Sequence, residues 1–260
     1  MEILSLFAIS LIAFVSLALY ELRRREPLLE VRFFRSAPFS GASVIAVCAF
    51  ASLGGYLFLN TLYLQEVRGH SPLQAGLYML PIAGMTVICA PISGRIVGSR
   101  GARGPLIVGG CGMAISSAIM TGLSPTTPVW VLLLTYVIFG IGFGTVNPPI
   151  TNTAVVGMPP SQAGVAAAIA STSRQVGQTL GVAVVGALAA GAATSALAVH
   201  HLSLSDVGWW VVLGCGLAVL ALGVLSTTRR ARLSATRVAE SFGEMGEQDP
   251  TRLQVQEAAS

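Results

Sequence analysis

The sequence predicts an all-α integral membrane protein with seven transmembrane helices, organised as one helix followed by a block of six. Three observations lead there. Apolar runs cover 3–20, 39–64, 77–92, 106–123, 129–156, 176–198 and 207–225, and most hold the ~20 residues a helix needs to cross ~30 Å of hydrocarbon. The composition is 53% hydrophobic and 10% charged with a mean hydropathy of +0.75, whereas soluble domains carry about 25% charged residues. Finally, the arginines fall by side. They follow the first run (Arg23, Arg24, Arg25, Arg32, Arg35), the third (Arg95, Arg100, Arg103) and the seventh (Arg229, Arg230, Arg232, Arg237), while the gaps after the second, fourth and sixth hold Arg68 alone. Basic loops stay cytoplasmic, so the N-terminus is expected outside and the C-terminus in the cytoplasm.

The first run is preceded by Met1-Glu2 and followed by Glu21-Leu22-Arg23-Arg24-Arg25. It lacks a basic leader and a small-residue cleavage site, so it reads as a retained span rather than a signal peptide. Residues 23–38 form a charged connector punctuated by Pro27 and Pro38. Six runs joined by short links follow: 66–72 and 124–128 and 200–206 outside, 94–105 and 157–161 inside. Three spans followed by three of inverted orientation is a pattern of transporter halves. The sixth run, if helical from 162 to 198, measures roughly 55 Å at 1.5 Å per residue, so it must tilt or protrude. Beyond Arg237 the chain turns polar, with Glu240, Glu244, Glu247 and Asp249 among Gly and Pro, as a disordered tail does. The expected divisions are 1–22 (single span), 23–38 (connector), 39–228 (six-helix block) and 229–260 (cytoplasmic tail).

Composition also excludes several functions. The charge of +4 sits at helix ends beside the bilayer, not in one patch for nucleic acid. The chain has no lysine, hence no retinal Schiff base. Cys48, Cys89, Cys111 and Cys215 each fall inside a run and behave as small hydrophobes without metal-site or disulfide spacing. His70, His200 and His201 lie in external links near Glu66 and Asp206 without a nucleophile or HExxH arrangement. No enzyme activity, cofactor or metal is expected.

The turn Gly94-Arg95-Ile96-Val97-Gly98-Ser99-Arg100-Gly101-Ala102-Arg103-Gly104 joins the third and fourth runs and resembles the cytoplasmic signature loop of the major facilitator superfamily. Gly94, Gly101 and Arg103 match; Gly98 stands where the pattern has an acid and Ser99 where it has a base, so the acid–base latch of the full motif cannot form. Further stretches are similar to the fourteen-helix drug:proton antiporter family within it: Ser71-Pro72-Leu73-Gln74-Ala75-Gly76-Leu77 with Leu80-Pro81, Gly140-Ile141-Gly142-Phe143-Gly144 with Asn147-Pro148-Pro149, and Ala163-Gly164 with Arg174-Gln175-Val176-Gly177-Gln178-Thr179-Leu180-Gly181. Arg25-Glu26-Pro27-Leu28-Leu29 and Phe33-Phe34-Arg35 resemble the linker that precedes that family's C-terminal half. The resemblance implies one linker helix plus a six-helix C-terminal half of a major facilitator fold, equivalent to helices eight to fourteen of such a transporter. It implies efflux of amphipathic compounds, proton-coupled in the full-length family.

Candidate cavity residues are the polar side chains within runs. Ser52, Tyr56, Asn60 and Tyr63 share a helical face by spacing, either as hydrogen-bonding glue between helices or as cavity lining. Asn147 and Asn152 flank Pro148-Pro149, where freed carbonyls need partners. Arg174 is the charged residue within reach of a span, either a functional ion or a snorkelling one, and Gln178 shares its face. Gly140/Gly144 and Gly177/Gly181 read as close helix contacts. All eleven acids lie outside the apolar runs, so the buried carboxylate on which proton antiport relies belongs by resemblance to an N-terminal half absent from this chain. The expected partners are therefore the bilayer, an amphipathic small molecule and such a half. A half-transporter that pairs with a separate N-terminal half or homodimerises is the alternative.

Overall fold

The computed structural model describes residues 37–155, 163–194 and 203–226 and six positions of the first run, Ile9, Ile12, Ala13, Val15, Ser16 and Tyr20, which are helical and exposed. The connector 23–36, the 157–161 link, His200, His201 and the tail 229–260 lie outside the described residues. Six long helices make up the rest: α1 (Ala37–Leu62, prolonged by a π-turn Tyr63–Val67), α2 (Pro72–Arg100), α3 (Arg103–Met120), α4 (Val129–Val155), α5 (Ala163–Thr194) and α6 (Ser203–Ser226). Five candidate spans are long and apolar enough to cross a bilayer, the first of them Phe39–Val67. α5 is rich in Ala, Gly, Ser and Thr and carries Arg174, and its 32 residues extend roughly 48 Å.

The helices start and stop where local chemistry dictates, and this moves several expected boundaries. α2 begins five residues before its apolar run because Ser71 caps it. The Ser71 side chain accepts from the Gln74 N–H at 3.3 Å and Gln74 returns the bond to the Ser71 N–H at 3.1 Å, with Pro72 in the first turn. This is a capping box. The expected loop at 94–104 is mostly helix: α2 continues through Arg100, and only Gly101 and Ala102 separate it from α3. Gly94 and Gly98 lack the turn geometry assigned to them, since neither departs from the helix, and Ser99 hydroxyl donates back to the Arg95 carbonyl at 3.0 Å. The turn is made by Gly101, whose φ of 88° suits glycine alone.

Pro148 and Pro149 do not end α4. Pro149 has no N–H for the Thr145 carbonyl one turn earlier, and the buried Ser93 hydroxyl of α2 donates to that carbonyl instead, at 2.7 Å. The Thr145 carbonyl, one of the two that these prolines free, is thus met from a neighbouring helix rather than by the flanking Asn147 or Asn152.

Direction alternates along the bundle. Phe39, Ala42, Ala154, Ala166 and Ala170 cluster at one end, while Tyr63 meets Ser124 at the other. The packing scheme pairs α1 with α5, α4 with α2, α3 with α4, α6 with α1, and α3 with α6, with α1 and α4 touching centrally. Exchanging the triplet α1–α2–α3 for α4–α5–α6 leaves this scheme unchanged, as two inverted repeats require. Each α1·α5 and α4·α2 seam is built on a glycine pair. A Cβ on Gly181 would overlap the Ala51 carbonyl of α1, and one on Gly140 would lie 2.7 Å from the Ile82 carbonyl of α2. Close approach here needs glycine.

Candidate functional site

The polar side chains form two sets of different exposure. The first is enclosed. Tyr56 and Asn60 of α1, Ser116 of α3 and Thr135 of α4 are all fully buried. Ser116 hydroxyl donates to the Thr135 carbonyl at 2.8 Å. Its single proton is then committed, so the Tyr56 hydroxyl, 2.9 Å away, is the donor to Ser116. Tyr136 hydroxyl donates to Asn60 Oδ1 at 2.8 Å, and Asn60 Nδ2 donates to the Tyr56 carbonyl at 2.9 Å. These bonds tie α1, α3 and α4 together. Around them runs an aromatic ladder: Tyr56 stacks on Phe139 at 3.9 Å and meets Trp209 of α6 edge-on at 5.2 Å, Phe139 lies parallel to Phe143 at 6.5 Å, and Phe50 meets Phe143 edge-on at 5.1 Å. Of the expected face, Tyr56 and Asn60 join this set. Ser52 is buried beside it with no partner for its hydroxyl.

Tyr63 stands apart at the far end of α1. Its hydroxyl donates to the Ser124 carbonyl at 2.7 Å and accepts from Arg68 Nε at 2.9 Å. Arg68 also donates to the Thr127 carbonyl and lies 5.3 Å from the Tyr63 ring centroid. Arg68 therefore fastens the end of α1 to the link between α3 and α4, a role its isolated position in the sequence did not suggest.

The second set is open. Arg174 of α5 is half-buried, 11 residues or roughly 17 Å along the helix from Ala163. It donates to the Thr151 hydroxyl of α4, and its guanidinium carbon lies 5.9 Å from the centroid of Phe50 on α1. Its Nε is buried without an acceptor. Half-buried Asn147 precedes Thr151 by one turn and exposed Gln178 follows Arg174 by one turn, so each shares its neighbour's face. Asn152 is exposed on the adjoining face of α4. Arg174, Asn147 and Gln178 thus border the junction of α1, α4 and α5, whereas Tyr56 and Asn60 are shut within the bundle. Thr151 and Phe50 escaped the sequence analysis; Thr151 sits four residues after Asn147, the spacing by which it was legible.

Of the residues in the signature-loop stretch, Gly94, Arg95 and Gly98 belong to the last turns of α2, Gly101 is the cap, and Arg103 opens α3; Arg95, Arg100 and Arg103 are exposed. Among the described side chains the one carboxylate is Glu66, exposed in the π-turn.

Residues 3–182 match the pattern described as Major Facilitator Superfamily. The chain belongs to the major facilitator superfamily. Curated relatives within it include a tetracenomycin C resistance and export protein of Streptomyces glaucescens, 38% identical over 72% of this chain and 35% of its own length. The puromycin resistance protein pur8 of Streptomyces alboniger is 32% identical over 87% of this chain and 46% of its own. A methylenomycin A resistance protein of Streptomyces coelicolor is 31% identical over 71% of this chain and 39% of its own. The chain spans between a third and a half of the length of these relatives. A solved structure of a bacterial homologue of the human drug peptide transporters PepT1 and PepT2 superposes with a TM-score of 0.63 at 18% identity, covering 86% of this chain and 53% of that one. The fold is that of a major facilitator protein, and the chain is a multi-pass membrane protein.

Proposed function

We propose that this chain is the C-terminal portion of a secondary active efflux transporter that exports amphipathic drugs or similar small molecules. The reading is carried by its similarity to resistance and export proteins of which it spans a third to a half. On this reading the junction of α1, α4 and α5 contributes one wall of the substrate cavity, and transport follows rocking of this half against another. The distribution of arginines along the sequence supports an N-terminus outside and a C-terminus in the cytoplasm of a bacterial membrane. On this reading proton coupling falls to the partner half, because a coupling carboxylate has to be buried, all eleven acids lie outside the apolar runs, and Glu66, the one carboxylate among the described side chains, is exposed. The activity is transport and not catalysis.

The second reading, a half-transporter that pairs with a separate N-terminal half or homodimerises, draws on α2 and α5. Leu73, Leu77, Leu80, Val87 and Ile88 of α2 and Val176, Leu180 and Val184 of α5 are exposed, a surface for lipid or for a second bundle.

Expression in an efflux-deficient bacterium tests the need for another half. The chain alone is expected to leave accumulation of a fluorescent amphipathic dye unchanged, and co-expression with six to seven complementary spans is expected to lower it. Drug export by the chain alone, with the chain monomeric in the membrane, refutes the need for another half.

A further inference from the structure

We propose that Arg174, set by Thr151 and Phe50, is a recognition point for the anionic group of an amphipathic organic ligand. The inference rests on the cavity reading above and gives it a charge class.

Among the described residues no carboxylate compensates this cation. Glu66, the one carboxylate among the described side chains, lies in the π-turn past the end of α1, whereas Arg174 meets α1 at Phe50 in its middle. The contacts Arg174 does make are neutral: a hydroxyl on α4 and an aromatic face on α1. A cation half-removed from water and facing only neutral groups attracts an anion more strongly than a solvated one, because the local dielectric is lower.

Donor capacity is also left over. Guanidinium has five N–H donors in a planar fork that suits carboxylate, sulfonate and phosphate oxygens. Thr151 takes one of them, and Nε is buried with no acceptor. The hydroxyl and the ring restrict the side chain's swing, so part of its ordering precedes any ligand. Asn147 and Gln178, one turn away on the two helices, add neutral polar groups.

The apolar complement is adjacent. Phe50 is partly exposed and continues into the buried ladder of Phe143, Phe139 and Tyr56. A ligand with its charge on Arg174 meets an aromatic wall with its body. By contrast, Arg68 is already held by Tyr63 and Thr127, while Arg95, Arg100 and Arg103 are exposed at helix ends without such a wall. No other charge among the described residues combines these features.

A matched probe pair tests the charge class. 8-Anilinonaphthalene-1-sulfonate and N-phenyl-1-naphthylamine share one ring skeleton and differ by the sulfonate. Both are titrated by fluorescence against the purified chain in dodecylmaltoside micelles, with empty micelles subtracted. The wild type is expected to bind the sulfonate at least about tenfold more tightly, the scale of a charge-assisted hydrogen bond. Arg174→Gln is expected to bring the two affinities together and Arg174→Lys to fall between, with the uncharged probe unaffected. Should Arg174→Gln fail to fold, the wild type still decides. Phenylglyoxal labelling of Arg174, mapped by peptide mass spectrometry, is expected to slow several-fold with the sulfonate and not with the uncharged probe. Equal binding of the two probes, with Arg174 unprotected, overturns the anion site and leaves the cavity standing. Binding of neither probe overturns both. Stronger protection by added phosphatidylglycerol than by the sulfonate assigns the site to lipid and overturns the proposal.

Discussion

Removing Ser116 should destabilise the bundle more than removing the tyrosine hydroxyl that binds it. Ser116→Ala strips the acceptor from the Tyr56 O–H, which is fully buried and has its proton aimed at Ser116. It also removes a donor from the Thr135 carbonyl. Tyr56→Phe, in contrast, leaves Ser116 donating to Thr135 and orphans no proton. A stranded buried donor costs about 1–3 kcal/mol in soluble proteins. Side-chain hydrogen bonds within membrane proteins average about 0.6 kcal/mol and reach about 1.7. Tyr56 is enclosed by the protein, away from lipid and from alternative partners, which favours the upper part of the membrane range. The expected costs are thus about 2 kcal/mol for Ser116→Ala, from one stranded donor and one lost bond, and under about 1 kcal/mol for Tyr56→Phe. In the double variant the stranded proton is gone, so its cost should fall short of the sum by about 1 kcal/mol. Titration with a denaturing detergent, followed by the fluorescence of Trp209 packed on Tyr56 at 5.2 Å, reads all four species of the cycle. Equal costs for the two single variants, or strict additivity in the double, would refute the donor order assigned here.

Two further predictions concern the backbone. Gly101→Ala should cost about 1 kcal/mol or more, because a side chain is strained at its φ of 88°, whereas Gly98→Ala, helical and with nothing within 4 Å of the new Cβ, should stabilise by up to about 1 kcal/mol; thermal melts in detergent that rank the two the other way would show that the turn is built differently. Ser93→Ala should cost about 1 kcal/mol by leaving the Thr145 carbonyl unmet above Pro149, while Asn147→Ala should cost less, and the reverse order in the same melts would return the role to the flanking asparagine.

The order of the six long helices among the described residues was legible because membrane spans announce themselves by length. The inverted repeat was legible only as a count of three plus three, since the triplets share no visible sequence. Symmetry resides in which helices touch, and glycine pairs on α4 and α5 serve the same purpose with different neighbours. The signature loop misled because its glycines invite a turn, yet glycine is tolerated inside a helix at a modest cost, and only Gly101, with its positive φ, turns. Polar residues on α1 were legible as a face, but spacing cannot say whether a face is covered. Tyr56 and Asn60 are sealed by Tyr136 and Ser116, two residues from other helices whose sequence positions carry no sign of the encounter. Arg68 was missed for the same reason, as it gains its role only from a contact made across the fold, whereas Thr151 could have been found by its spacing from Asn147.

The distribution of these polar contacts bears on how such a half would move. Hydrogen bonds between side chains and other helices join α1, α3 and α4 through Tyr56, Ser116, Asn60 and Tyr136, and Ser93 joins α2 to α4. The α1·α5 seam relies instead on glycine contacts at Gly177 and Gly181, with Arg174 bridging from α5 to α4. Sliding α1 past α4 would strand several buried groups at once, a cost paid by each group separately. Loosening α5 strands few, since its seam is van der Waals contact and Arg174 remains half-exposed. If the half rocks as a body, α1, α3 and α4 form its rigid part, and the adjustable part is α5 with the cation it carries. A ligand's anionic group at Arg174 would then sit on the joint between the two, where binding biases the position of α5 by its differential affinity for the two arrangements.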